Sequence, residues 1–191
     1  MVSNFTVIYD ACVLYPAPLR DFLMRLAVTD LFKARWTDAI HSEWIKNVLN
    51  NRSDLTIEQL NRTKNLMNSH VRDCLVTGYE ALIEGLQLPD SNDRHVLAAA
   101  IRCNASVIVT FNLKDFPAQA LSPYGIESQH PDDFILHLID LNPTEIYKVV
   151  KIHINSLKNP PKTLEQYLNT LSNQGLKQSV IALQSLCYDI E

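Results

Sequence analysis

The 191-residue chain is 47% hydrophobic and 20% charged, carries a formal net charge of −4, and contains only 4 Gly beside 9 Pro. That is apolar material for one medium-sized core, or a core with an appendage, and it excludes a disordered chain. No G-x-G-x-x-G or G-x-x-x-x-G-K-[ST] run occurs, which excludes glycine-loop dinucleotide enzymes and P-loop NTPases, and the acidic balance requires any nucleic-acid contact to use a local basic patch or bridging cations.

Thr6-Val7-Ile8-Tyr9 is short, β-branched and apolar, and reads as a buried strand that stops at a carboxylate, Asp10. Phe22, Leu23, Leu26 and Ala27 predict a helix over about 19–29, and a short strand is expected near Lys33 to Trp36. Thr37 is a good N-cap for a helix over about 38–50 with Ile40, Trp44 and Val48 on its apolar face. Thr56 and Gln59 form a capping box for a long helix whose stripe is Leu60, Met67, Val71 and Leu75.

A loop around Leu88-Pro89-Asp90 leads into a helix over Ser91 to Asn104, buried through Val96, Leu97, Ala100 and Ile101. Ser106 to Thr110 is a second clear strand, ending near Asn112 and Asp115; Gly125 to Ser128 is a short final strand, followed by a helix over about 131–140. Strands alternating with helices predict an α/β fold with a mostly parallel sheet, covered on both faces, whose ligands gather at the carboxyl ends of the strands.

From residue 142 onward the pattern is helix only. Asn142-Pro143-Thr144-Glu145 caps a helix with Ile146, Val149, Val150 and Leu157, Pro160-Pro161 interrupts it, Thr163 to Gln166 caps another, and Gly175 precedes a last helix carrying Val180, Ile181 and Leu186. The expected organisation is a first domain over 1–141 and an all-helical C-terminal extension over 142–191. No stretch approaches the roughly 18 apolar residues of a membrane span, and Cys12, Cys74, Cys103 and Cys187 are widely spaced, so a soluble cytoplasmic chain without a disulfide framework or zinc site is expected.

Polar residues recur where such a sheet exposes side chains: Asp10 after the first strand, Glu43 beside the stripe of an early helix, Asp90 and Asp93 at a helix start, and Asn112 and Asp115 after the second strand. Each has a plainer reading alone, as a cap, a turn former or a solvated helix residue. Together they ask for a cation, since converging carboxylates stay ionised only when their charge is offset. Oxygen donors without Cys or a His pair favour Mg²⁺ or Mn²⁺, and such a site suits phosphodiester hydrolysis.

The successive segments Tyr9 to Pro16, Leu19-Arg20-Asp21, Trp36 to Ile40 with Glu43, Asp90 through Ala100, and Thr110 to Pro117 resemble, in order, the motifs of bacterial PIN-domain ribonucleases of the VapC toxin type. The resemblance spans about residues 5–135. It implies a Rossmann-like PIN domain with a short parallel sheet flanked by helices, a Mg²⁺- or Mn²⁺-dependent endoribonuclease leaving 5′-phosphate and 3′-hydroxyl ends, and a cognate antitoxin partner in a type II toxin–antitoxin system. Carried over by position, it makes Asp10, Glu43, Asp93 and Asp115 the catalytic metal ligands. Asn112 stands where some relatives have an aspartate, so Asn112 or Asp115 completes the set, with Asp90 and Thr110 in support. Arg20, Arg94 and His95 lie beside these motifs and are candidate RNA phosphate contacts; His41 could neighbour the site from the Glu43 helix.

Three other readings compete. A haloacid-dehalogenase-type phosphatase wants a second Asp two residues after the first, where this chain has Cys12. An inactive PIN fold serving as an RNA- or protein-binding module is opposed by the filled acidic positions. A DNA-reading helix-turn-helix over 163–187 would have little more than Lys177 to meet phosphate, so the helical tail is expected to pack on the first domain, on a second copy in a homodimer, or on the antitoxin.

Overall fold

The computed structural model describes residues 5–190. Four strands, β1 (Thr6–Tyr9), β2 (Lys33–Arg35), β3 (Val107–Val109) and β4 (Glu127–Gln129), form one parallel sheet in the order β2-β1-β3-β4. The two inner strands are the apolar β-branched runs, and Val7, Ile8, Val107, Ile108 and Val109 are buried, as a sheet covered on both faces requires. Register continues past the strand ends: Asp10 N–H donates to the Val109 carbonyl (3.1 Å) and Thr110 N–H to that of Gln129 (3.0 Å). The first residues beyond β1 and β3 are therefore held side by side.

Ten helices surround the described sheet. After β1 come α1 (Ala11–Leu14) and α2 (Ala17–Ala27); after β2, α3 (Asp38–Asn51) and α4 (Ile57–His70); before β3, α5 (Arg94–Arg102), packed on β1 and β3. α6 (Ala118–Leu121) precedes β4, and α7 (Pro131–Leu141), α8 (Pro143–Ser156), α9 (Leu164–Ser172) and α10 (Lys177–Ile190) complete the chain. The expected caps form: the Thr37 hydroxyl accepts from Ile40 N–H, Asn142 Oδ1 accepts from Glu145 N–H, and both capping boxes, Thr56/Gln59 and Thr163/Gln166, close.

The structure differs from the sequence reading at element ends. The helix expected over 19–29 begins at Ala17, Pro16 preceding it, with α1 formed separately against the Asp10 side chain. The stripe Leu60-Met67-Val71-Leu75 is not one helix: α4 ends at His70, Asp73 takes a left-handed φ of 53°, and Leu75 bridges Trp36 in extended conformation. The helix expected over 91–104 opens with a 3₁₀ turn at Ser91–Asp93 and ends at Arg102. Gly125, at φ 68°, closes a turn, which delays the last strand to Glu127. In α10 the buried residues are Ser179, Leu183 and Cys187, spaced four apart, while Ile181 is 70% exposed.

What selects that face of α10 is a carboxylate on another helix. Asp132, buried in the first turn of α7, accepts from Gln178 N–H (2.9 Å) and Ser179 N–H (2.8 Å), and its own carbonyl accepts from the Ser179 hydroxyl (2.8 Å). The free N–H groups that begin a helix are thus satisfied from across the helix pair. A second anchor lies on α2: the buried His153 ring of α8 meets Asp21 Oδ2 through Nε2 (2.9 Å) and Tyr167 OH of α9 through Nδ1 (3.0 Å), and stacks on Phe22. Burial alone would raise Asp21, but the His153 hydrogen bond and charge and the nearby Arg25 hold its carboxyl below the ordinary value.

Replacing Asp132 by Ala leaves the Gln178 N–H and the buried Ser179 N–H without their acceptor, and should lower unfolding stability by about 2 kcal/mol in a urea titration. A loss below about 0.5 kcal/mol, the range of a neutral surface change, would remove Asp132 from its anchoring role.

Candidate active site at the carboxyl edge of the sheet

Asp10 is buried where β1 gives way to α1. Its Oδ1 accepts from Ala11 N–H (2.6 Å), and its Oδ2 accepts from the Thr110 hydroxyl (2.7 Å) and the Cys12 thiol (3.0 Å). The thiol also accepts from Phe111 N–H (3.2 Å), and the Thr110 hydroxyl from Asn112 N–H (3.0 Å). Burial and the neighbouring Asp10 charge push the Cys12 thiol well up, so it stays protonated and donates. The carboxylate is therefore clamped between the ends of β1 and β3.

Asp93 sits at the start of α5 with helical backbone, and its side chain makes no capping hydrogen bond. Capping falls to Asp90, which accepts from Asn92 N–H (2.8 Å). The Asp93 carboxyl is pushed up to about 6, first by burial and then by the charges of Asp10, Asp90, Asp115 and Glu43. Asp10 is raised as well, mainly by burial and further by Glu43, against the lowering hydrogen bonds of Cys12, Thr110 and Ala11. Carboxylates from the end of β1, from α3, from the start of α5 and from the turn after β3 thus face one another at a single edge. Asn112 is exposed there; Asp115, in a 3₁₀ turn, is half-buried.

The basic residues named from sequence are placed differently. Arg20 is drawn inward, donating through Nη1 to the carbonyls of Leu14 (2.6 Å) and Tyr15 (3.2 Å), with its guanidinium 4.5 Å from the Trp44 ring. Burial lowers it to about 10. Arg94 Nε donates to the Ser91 carbonyl (3.0 Å). His95 Nε2 lies 3.5 Å from Glu43 Oε2, and its Nδ1 is buried without a partner. His41 does not reach the acids: it accepts from Trp44 Nε1–H at Nδ1 and meets Asn68 at Nε2 (2.9 Å each), inside the core.

Among the described residues, no three His, Cys, Asp or Glu side chains are closed up tightly enough to hold a metal ion as they stand. The donor chemistry nevertheless fits a hard divalent cation. The crowded groups are carboxylates, Asp93 has not spent its oxygens on a cap, and their mutual repulsion both holds them apart and is what a cation would offset.

Residues 131–185 match the family model of the VapC50 C-terminal domain. Over 97 residues the chain is 44% identical to VapC50 of Mycobacterium tuberculosis, whose name records a provisional ribonuclease assignment. Over these segments the chain is similar to VapC-type proteins. The alignment covers 51% of this chain and 57% of the relative, so little more than half of that relative's length is represented. A chain of VapBC-1 from nontypeable Haemophilus influenzae superposes with a TM-score of 0.47 at 19% identity, covering 66% of this chain and 98% of that one.

Sequence reading missed the contact of Cys12 with Asp10 and weighed that position only as the absence of an Asp. Its position two residues after a strand-ending carboxylate was the available signal, since the first turn of α1 brings Sγ back toward Asp10.

Because Asp93 is raised in the folded chain, folding takes up a proton between the ordinary carboxyl range near 3.8 and about 6, and this contribution to stability is lost as pH rises through that window. In EDTA, the melting temperature of Asp93→Asn should exceed that of the parent at pH 7, and the difference should shrink toward pH 4. A parent more stable than Asp93→Asn at pH 7 would show that the carboxylates do not repel.

Proposed function

We propose that the chain is a divalent-metal-dependent endoribonuclease, the toxin of a type II toxin–antitoxin pair, in which residues 1–141 form the catalytic unit and 142–191 a helical extension. The observation that carries this is the position of Asp93, raised to about 6 while exposed to four other carboxylates at the edge where parallel sheets bind ligands. A structural acid cluster has no reason to keep such a group uncapped. The VapC50 relative's ribonuclease assignment supports the same reading.

In this reading Asp10, Glu43, Asp93 and Asp115 would hold Mg²⁺ or Mn²⁺, with Asp90 and Asn112 beside them. The bound ion would supply the charge that polarises the scissile phosphate and acidifies a water molecule. The chain's own residues do the rest. Thr110 and Cys12 fix Asp10 so that it need not reorganise when substrate arrives. His95, against Glu43, keeps that acid turned toward the cluster and stands with Arg94 at the rim where an RNA phosphate would pass. Arg20, tied to Leu14, Tyr15 and Trp44, sets the α1–α2 corner instead of meeting RNA.

The antitoxin would sit away from this edge. Between α2 and α4 lies a groove of about 570 Å³ whose lining includes Met24, Val28, Leu66 and Met67. Val28 and Leu66 are 52% and 49% exposed, so an apolar segment of a partner would cover surface that water now meets.

Asp10→Asn should lower RNA cleavage on the order of 10³-fold with the far-ultraviolet spectrum unchanged, and EDTA should do the same to the parent until Mg²⁺ is restored. Cleavage by Asp10→Asn, or by metal-stripped protein, at the parental rate contradicts the mechanism. In the same assay Asp115→Asn should lose more than Asn112→Ala, because only the acid offsets cationic charge; the reverse order would make Asn112 the fourth ligand.

A further inference from the structure

The turn between α9 and α10 lies against the loop that clamps Asp10. Gly175, at φ 88°, packs against that loop: a Cβ there would be in van der Waals contact with the Phe111 ring at 3.6 Å and with His130 at 3.9 Å. The Phe111 ring meets His130 edge-on, with centroids 5.2 Å apart. His130 is in turn fixed to the anchor of the tail, since its Nδ1 accepts from Asp132 N–H (3.1 Å) and Asp132 caps α10.

The backbone of Phe111 is part of the site. Its N–H donates to Cys12 Sγ, and the residues on either side supply the Thr110 hydroxyl that donates to Asp10 and the Asn112 N–H that orients that hydroxyl. Side chain and backbone of one residue thus link the C-terminal helices to the most buried carboxylate of the cluster.

We propose that Phe111 is a positioning residue and the Gly175 turn its stop, so that the C-terminal helical unit sets the metal affinity of a site to which it contributes no ligand. This rests on the nuclease reading above. Groups that hold a metal ligand in place typically control affinity or turnover by about 10- to 100-fold.

The experiment uses the full-length chain and Mg²⁺ or Mn²⁺ alone. The half-saturating concentration is read from the rise in melting temperature with metal, and separately from RNA cleavage resolved into kcat and KM. Phe111→Ala is expected to raise the metal midpoint at least 10-fold and to lower kcat with little change in KM for RNA. Phe111→Leu keeps apolar bulk and serves if the Ala variant does not fold; it should shift the midpoint in the same direction by less. Tyr167→Phe loosens the distant anchor on α2 and should leave the midpoint unchanged.

Parental midpoints in a folded Phe111 variant would overturn the proposal, as would a shift by Tyr167→Phe as large as that of Phe111→Leu, since tail stability alone would then be what is read. If the parent itself shows neither a metal-dependent melting shift nor cleavage, the nuclease reading fails first. Metal binding and cleavage by the parent, matched by both Phe111 variants, fail this inference alone.

Discussion

Carboxylates that repel one another are gathered at one edge of a four-stranded parallel sheet, and the surrounding structure is arranged to keep them there. Left alone, such groups would turn to solvent or take up protons. Asp10 cannot turn away, because both its oxygens are engaged by the ends of β1 and β3. Asp93 is held by the start of α5 and responds the other way, by an upward displacement of its pKa to about 6. A cation bound there, as proposed above, would offset this crowding, so the arrangement that costs the fold stability suits it to metal.

Two anchors hold the helical tail to this frame, and they differ in kind. Asp132 supplies an ionic cap to the buried start of α10, joining consecutive parts of the chain's second half. The Asp21–His153–Tyr167 chain joins α8 and α9 to α2, which also lines the apolar groove facing α4. The extension is therefore built into the α/β unit at two places, one next to the acids and one next to the groove proposed for the antitoxin. A boundary at 141/142 separates sequence patterns, whereas the match to the VapC50 C-terminal domain starts at residue 131 and includes α7.

Much of the acid cluster was legible because each member sits at a position with a local signature: a carboxylate ending an apolar strand, an acid beside a helix stripe, an acid at a helix start. The caps at Thr37, Thr56, Asn142 and Thr163 were legible for the same reason, being set by residues three apart. What depends on distant partners was not. Thr110 meets Asp10 through the pairing of strands 100 residues apart in sequence, and the same pairing brings Cys12 to Thr110 across 98 residues. The buried face of α10 is chosen by Asp132, 46 residues earlier, so Ile181 looks like core in sequence and stands in solvent. Arg20 reads as a surface cation near a motif, yet three local acceptors, two carbonyls and an indole face, draw it inward.

The account turns on whether a divalent cation brings these side chains together. Anomalous diffraction from crystals soaked in Mn²⁺ measures this directly, without reference to any RNA. The predicted result is a manganese peak bonded to Asp10 and Asp93 and flanked by Glu43 and Asp115, with the carboxylates drawn closer than in the metal-free chain. Manganese bound elsewhere, or none at millimolar concentration with the acids still apart, would contradict it.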